Sequence, residues 1–172
     1  MSGARTGAPR FGSLLHHFGG RLLAALDELS PEILSAPERR LVLPVVAGLL
    51  QGRRAADEGG AERAWREFGG VGARLALLAC PTGPPQVRLL DFARRQRRRF
   101  AVGAEVGKAD WAGLDDVHHF DRALAHGVRV AYLLDAGGEG ASRRSLPDEA
   151  ADAANYLLFF LAVRGLVPAA AA

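Results

Sequence analysis

Apolar residues recur along this chain at intervals of three and four, the period of helices with one buried face. Leu15, Phe18, Leu22, Leu26 and Leu29 predict a helix over 11–29, with Gly19 and Gly20 as weak points or places of close approach. Ser35-Ala36-Pro37-Glu38 has capping-box spacing with Pro inside it. It predicts a helix over 36–54 that buries Leu41, Val45, Val46, Leu49 and Leu50 and is kinked at Pro44. Trp65, Phe68, Val71, Leu75 and Leu78 mark a helix over 61–80, which Gly69, Gly70 and Gly72 divide into two shorter ones. Pro81-Thr82-Gly83-Pro84-Pro85 is the strongest breaker in the sequence and the one candidate subdomain boundary. Beyond it, 86–99 reads as a short helix with Val87, Leu90 and Phe92 or Ala93 inward. The span 100–113 reads as a Gly-punctuated loop with a candidate strand at Ala101–Val102. A fifth long helix, 114–134, places Val117, Phe120, Leu124, Val128 and Ala131 on one side.

The segment Ser145–Arg164 carries the sharpest pattern. Ser145 suits an N-cap, Pro147 is tolerated in a first turn, and Gly165 and Pro168 mark the stop. Tyr156 to Leu161 and Val163 cover every side of its second half, which predicts a central helix buried all round. A loop at 137–145 lets the last two helices pack as an antiparallel hairpin. The architecture expected is an all-α bundle of five to six helices around a central apolar C-terminal helix. It forms a single domain over 11–167, between a disordered tail at 1–10 and a short tail at 168–172.

Composition narrows the classes. The chain of 172 residues has 49% hydrophobic residues and a net charge of +3, short of a protein that coats nucleic acid. Its single Cys, Cys80, excludes an internal disulfide and a Cys-based zinc site. No apolar run reaches a spanning length, and MSGARTGAPR is not followed by the apolar core of a signal peptide, so a cytoplasmic protein without a membrane partner is expected. His16 and His17 are adjacent on a helix, point apart, and do not chelate together.

Two groups of charged residues are candidates for chemistry. Asp148, Glu149 and Asp152 stand at the mouth of the last helix. Asp148 and Glu149 are explained as first-turn acids favoured by the helix dipole, whereas Asp152 lies further in among apolar neighbours. Glu149 and Asp152, three apart on one face, can share a Mg²⁺. The alternative for Asp152 is a structural pair with Arg129 across the hairpin. Asp115, His119, Arg122, His126 and Arg129 form a stripe on the preceding helix. At about 1.5 Å per residue, Asp115 would lie roughly 30 Å from Asp152 along that hairpin. The acidic ends therefore meet only if the helix breaks or a second copy supplies one of them. The other group is Arg94, Arg95, Arg97, Arg98 and Arg99, read either as a solvated basic helix end or as a contact for nucleic acid or an acidic protein.

The stretch Asp148-Glu149-Ala150-Ala151-Asp152-Ala153-Ala154-Asn155-Tyr156, followed by an apolar run, resembles the last metal-binding helix of the MazG-like all-α nucleoside triphosphate pyrophosphohydrolases. The resemblance covers about 50 residues in the C-terminal third. It implies Mg²⁺-dependent cleavage of a nucleoside triphosphate to monophosphate and pyrophosphate, on a four-helix core completed by homo-oligomerisation. By the same resemblance, Glu149 and Asp152 hold metal and carry catalysis. Asp115, Asp116 and His119 match the earlier acidic element, with Asp in place of Glu and His119 in place of a carboxylate. Arg122, Arg129 and Asn155 would meet substrate. A fainter resemblance, to the groove-forming segments of Bcl-2-like apoptosis regulators, rests on Leu22 with Asp27-Glu28 and on Phe68-Gly69-Gly70-Val71 with Arg74. It implies a non-enzymatic interaction protein, although Leu26 stands where that family has a small residue.

Overall fold

In the computed structural model the described residues are 19–22, 24, 25, 27, 38–105, 113–135 and 145–166. Helices and turns account for them, with no strand among the described residues. Five long helices follow one another: α1 (Glu38–Asp57), α2 (Ala61–Ala79), α3 (Pro85–Glu105), α4 (Asp116–Asp135) and α5 (Leu146–Val163). Helical residues between Gly19 and Asp27 precede them. The expectation of an all-α bundle of five to six helices is met. The readings of 1–10, of His16 and His17, of the 137–144 loop and of the final tail lie outside the described residues.

Helix α1 packs on α2, α2 on α5, α5 on α4, and α4 back on α1, which closes a four-helix ring. Its centre is filled by Val45 and Leu49 of α1, Phe68 and Leu75 of α2, Phe120 of α4, and Leu157, Phe160 and Leu161 of α5. Phe160 meets Phe68 edge-on at 5.6 Å and Phe120 at 5.4 Å between ring centroids. Helix α3 lies outside the ring, against α2 and more lightly against α5.

Helix α5 has the expected caps. Ser145 is its N-cap, and its side chain accepts from the Asp148 N–H. At the other end Gly165 takes a positive φ of 71°. The Gly165 N–H then reaches the Ala162 carbonyl at 3.1 Å and the Leu166 N–H reaches that of Leu161 at 2.9 Å, a Schellman closure. Trp65 Nε1 donates to the Leu166 carbonyl at 2.8 Å and ties this end to α2.

Several expectations are corrected. Helix α2 is continuous despite its three glycines, because Gly69 serves contact rather than bending: a Cβ there would come within 3.4 Å of Ala25. Gly52 on α1 does the same across the α1–α2 seam, where a Cβ would stand 2.5 Å from the Phe68 ring. Ala101 and Val102, read as loop or strand, belong to α3, which extends to Glu105. On α3, Leu89 and Phe92 are buried while Val87 and Leu90 are about half exposed. On α4, Val117 and Val128 are exposed, and His119 and His126 are buried in their place. The cause is geometric: α4 has two neighbours, α1 and α5, so it buries two faces, and the histidines occupy the one towards α5. On α1, Leu50 is exposed although its spacing assigns it to the core.

Candidate functional site

The α4–α5 hairpin is antiparallel, as expected, and its register decides where each candidate residue lies. At one end Arg164 donates to Asp116 at 2.9 Å and to Asp57 at 2.8 Å. Arg53 stacks over Phe120 and Phe160 and joins the same carboxylates, at 3.0 Å from Asp57 and 3.8 Å from Asp116. Asp115 caps α4, accepting the His118 backbone N–H at 2.7 Å. Asp115 and Asp116 thus secure the bundle end where α1, α4 and α5 meet.

In the first turn of α4, His119 is buried against the rings of Phe159 and Tyr156, with centroids 5.5 and 6.3 Å away. Further on, His126 stacks on Tyr156 at 5.5 Å with the rings nearly parallel. Its Nδ1 lies 2.6 Å from Glu149 Oε2, and both side chains are almost wholly buried. Arg129 Nη1 stands 3.8 Å from the same oxygen. With a guanidinium that close, the carboxylate is the acceptor and Nδ1 the donor. Glu149, read from the sequence as a first-turn acid favoured by the helix dipole or as a metal ligand, is 1% exposed and engaged by imidazole.

Asp152 does not meet Arg129, the partner expected across the hairpin. Its partner is Arg99 of α3, with Nη1 3.8 Å from Asp152 and Nη2 4.0 Å from Asp148. Asn155, one turn on, donates from Nδ2 to Gln96 Oε1 at 2.8 Å. Arg122 is exposed on α4.

The ligands expected for one metal are therefore divided within the chain. Glu149 and Asp152 face different neighbours near the start of α5, and Asp115 and Asp116 occupy the opposite end of the hairpin. Among the described residues no three His, Cys, Asp or Glu side chains are grouped so as to hold a metal ion. This donor set does not fit Mg²⁺ inside one copy of the chain.

A cavity of about 320 Å³ opens between α3 and the start of α5. Arg95, Arg98 and Arg99 form one wall, Pro147 and Asp148 the other, and Ala79, Cys80 and Ala151 the floor, with Gln96 between them. The α3 sequence explains this arrangement. Leu89, Phe92 and Gln96 recur at spacings of three and four and face the bundle, which sends the arginines outward. Arg94 is near Asp91 at 3.6 Å and Arg99 near the α5 acids, whereas among the described residues no carboxylate pairs with Arg95, Arg97 or Arg98. Burial pushes the Cys80 thiol up, partly offset by the charges of Arg95 and Arg88.

Helix α3 is held in place by Arg88. This side chain is buried and donates to the Cys80 carbonyl at 2.6 Å and to the Leu77 carbonyl, satisfying acceptors left open at the end of α2. Arg74, from the fainter of the two resemblances, donates back to Gly70 on its own helix at 3.1 Å, and burial lowers its pKa. Leu22 packs into the core, and Arg21 of the same segment lies over Trp65 and beside Glu62. Two groups carry no functional signal in the sequence: Gln96, whose importance depends on Asn155 some 59 positions away, and Cys80, whose cavity forms only when α5 docks.

No helix among the described residues is long and apolar enough to cross a membrane. No protein-family model matches the chain, and no curated protein or solved structure matches it.

Proposed function

We propose that the chain binds nucleic acid through the arginine-rich face of α3. One observation carries this reading: Arg94, Arg95, Arg97, Arg98 and Arg99 are all exposed on one helix, and three of them have no acidic partner among the described residues. Like charges three and four positions apart on a helix repel one another. A phosphate backbone relieves that repulsion and releases its own counterions on contact. The helix is anchored from its opposite face by Leu89, Phe92 and Gln96, so the cations are presented on a fixed support.

Binding should weaken steeply with salt. Replacing Arg94 and Arg97 together with Gln is expected to reduce the slope of log K against log salt by about 0.7–0.9 for each phosphate no longer neutralised, read by fluorescence anisotropy across a salt series. A slope that is flat in the native chain, or unchanged in the variant, would rule out the proposal.

A second reading, Mg²⁺-dependent pyrophosphohydrolysis of a nucleoside triphosphate, draws support from the position of Arg99 between Asp148 and Asp152, beside Arg98. Cations able to meet phosphate stand there next to carboxylates. This reading requires a second copy to bring Asp115 and Asp116 to that place, with Arg122, Arg129 and Asn155 as the substrate contacts; His119, enclosed within its own bundle, would not join them. It predicts Mg²⁺-dependent pyrophosphate release from at least one nucleoside triphosphate, abolished by Asp152→Asn. Absence of pyrophosphate across a full nucleotide panel counts decisively against it.

A further inference from the structure

The cavity beside α3 has features that the exposed arginine face does not require. Gln96 is 3% exposed yet lines this opening. Its Oε1 is taken by Asn155 Nδ2 at 2.8 Å, which fixes the amide plane and turns Nε2 away from Asn155. With Oε1 occupied, Nε2 is the group through which this amide can donate. Hydrogen bonds to charged acceptors are among the stronger ones a protein makes, so an anionic group that supplies one is favoured there. Arg95 and Arg98 stand on the same wall with their charges unmatched, and Arg98 is also part of the outward face. Across the opening stands Asp148, whose Oδ2 accepts from Ser145 Oγ at 2.8 Å and whose Oδ1 lies 4.0 Å from Arg99. A volume of about 320 Å³ lies at the lower end of small-ligand sites, roughly 300–1,000 Å³.

The chemistry that satisfies these groups together has several acceptor oxygens and two negative charges on one centre, with a hydroxyl nearby. A phosphodiester, with one charge and two ester links, provides less. We infer that the cavity binds a terminal phosphomonoester, so that the protein recognises phosphorylated ends of nucleic acid strands. Arg95, Arg98 and the Gln96 amide take the phosphate oxygens and Asp148 accepts from a sugar hydroxyl. This rests on the nucleic-acid reading for its ligand and shares Arg95 and Arg98 with it; Gln96 belongs to the cavity alone, and Arg94 and Arg97 do not line it.

The test compares one fluorescent oligonucleotide carrying a terminal phosphomonoester with the same strand ending in hydroxyls. The phosphorylated strand is expected to bind about tenfold tighter, the scale of one charge-assisted hydrogen bond. Gln96→Leu should remove that preference and leave hydroxyl-ended binding within a small factor of native, whereas Arg95→Gln should remove the preference and also weaken the hydroxyl-ended strand. Replacing Arg94 and Arg97 should weaken both strands alike and preserve the ratio. Calorimetric titration with ribose 5-phosphate supplies the small-molecule arm. If neither strand binds while ribose 5-phosphate binds in a Gln96-dependent manner, the cavity is a phosphomonoester site and the strand-end assignment is overturned. Equal affinity for both strands, with no binding of the free monoester, overturns the inference and leaves the nucleic-acid reading standing.

Discussion

Phe160→Ala is expected to destabilise the fold by about 3–5 kcal/mol, the range for deleting a fully buried aromatic ring. Its ring is 0% exposed and touches every wall of the bundle: Phe68 on α2, Phe120 on α4 and the Arg53 guanidinium on α1, 5.3 Å from its centroid. The cavity left would be bounded by residues from four helices, which restricts collapse around it. For a domain of this size, about 2–4 °C of melting temperature accompanies each kcal/mol, so a fall on the order of 10 °C should be seen by circular dichroism. Phe160→Leu keeps much of the volume and should cost less than half as much. A melting temperature unmoved by the alanine change would mean that the four-helix ring does not close on this ring.

Glu149→Leu carries the second large effect. It strands His126 Nδ1 in an enclosed site, and removal of one member of a buried pair costs about 3–5 kcal/mol. His126→Leu should be comparably harmful. The double variant should recover most of the loss, because an apolar pair of similar bulk leaves nothing unmatched. A coupling energy of about 2 kcal/mol or more in a urea-denaturation cycle identifies the pair as structural. Additive effects of the two changes would show that Glu149 acts independently of His126, as a metal ligand would.

These expectations show what is legible in the sequence. Helix α5 is readable to its ends because its signals are local: the Ser145 cap, Pro147 in the first turn and Gly165 after the last. The bundle class is readable from apolar periodicity alone. The facing of α4 is not. A helix with two neighbours buries two stripes, and a reading that looks for one apolar side assigns Val117 and Val128 inward and groups the histidines with the charged stripe. The length of α3 is obscured by Gly103, which is tolerated within the helix. The candidate site is legible in part. Antiparallel packing is correct, and Arg129 does reach an α5 acid, but it is Glu149, one turn from the Asp152 expected. Such a register depends on how rings such as Tyr156 and His126 stack, and no local pattern encodes that. Arg99 and Asp152 lie 53 positions apart, and nothing in either segment announces the other.

The buried Arg88 has a consequence for the energetics of association. By clamping the carbonyls of Leu77 and Cys80 across the Pro81–Pro84 turn, it couples the orientation of α3 to that of α2. The stretch read as the one candidate subdomain boundary is thus bridged by this side chain. The rotational freedom of the arginine-bearing helix is lost when the chain folds. If the chain binds nucleic acid as proposed, the polyanion would meet an orientation already chosen, and its binding free energy would not be diminished by ordering that helix.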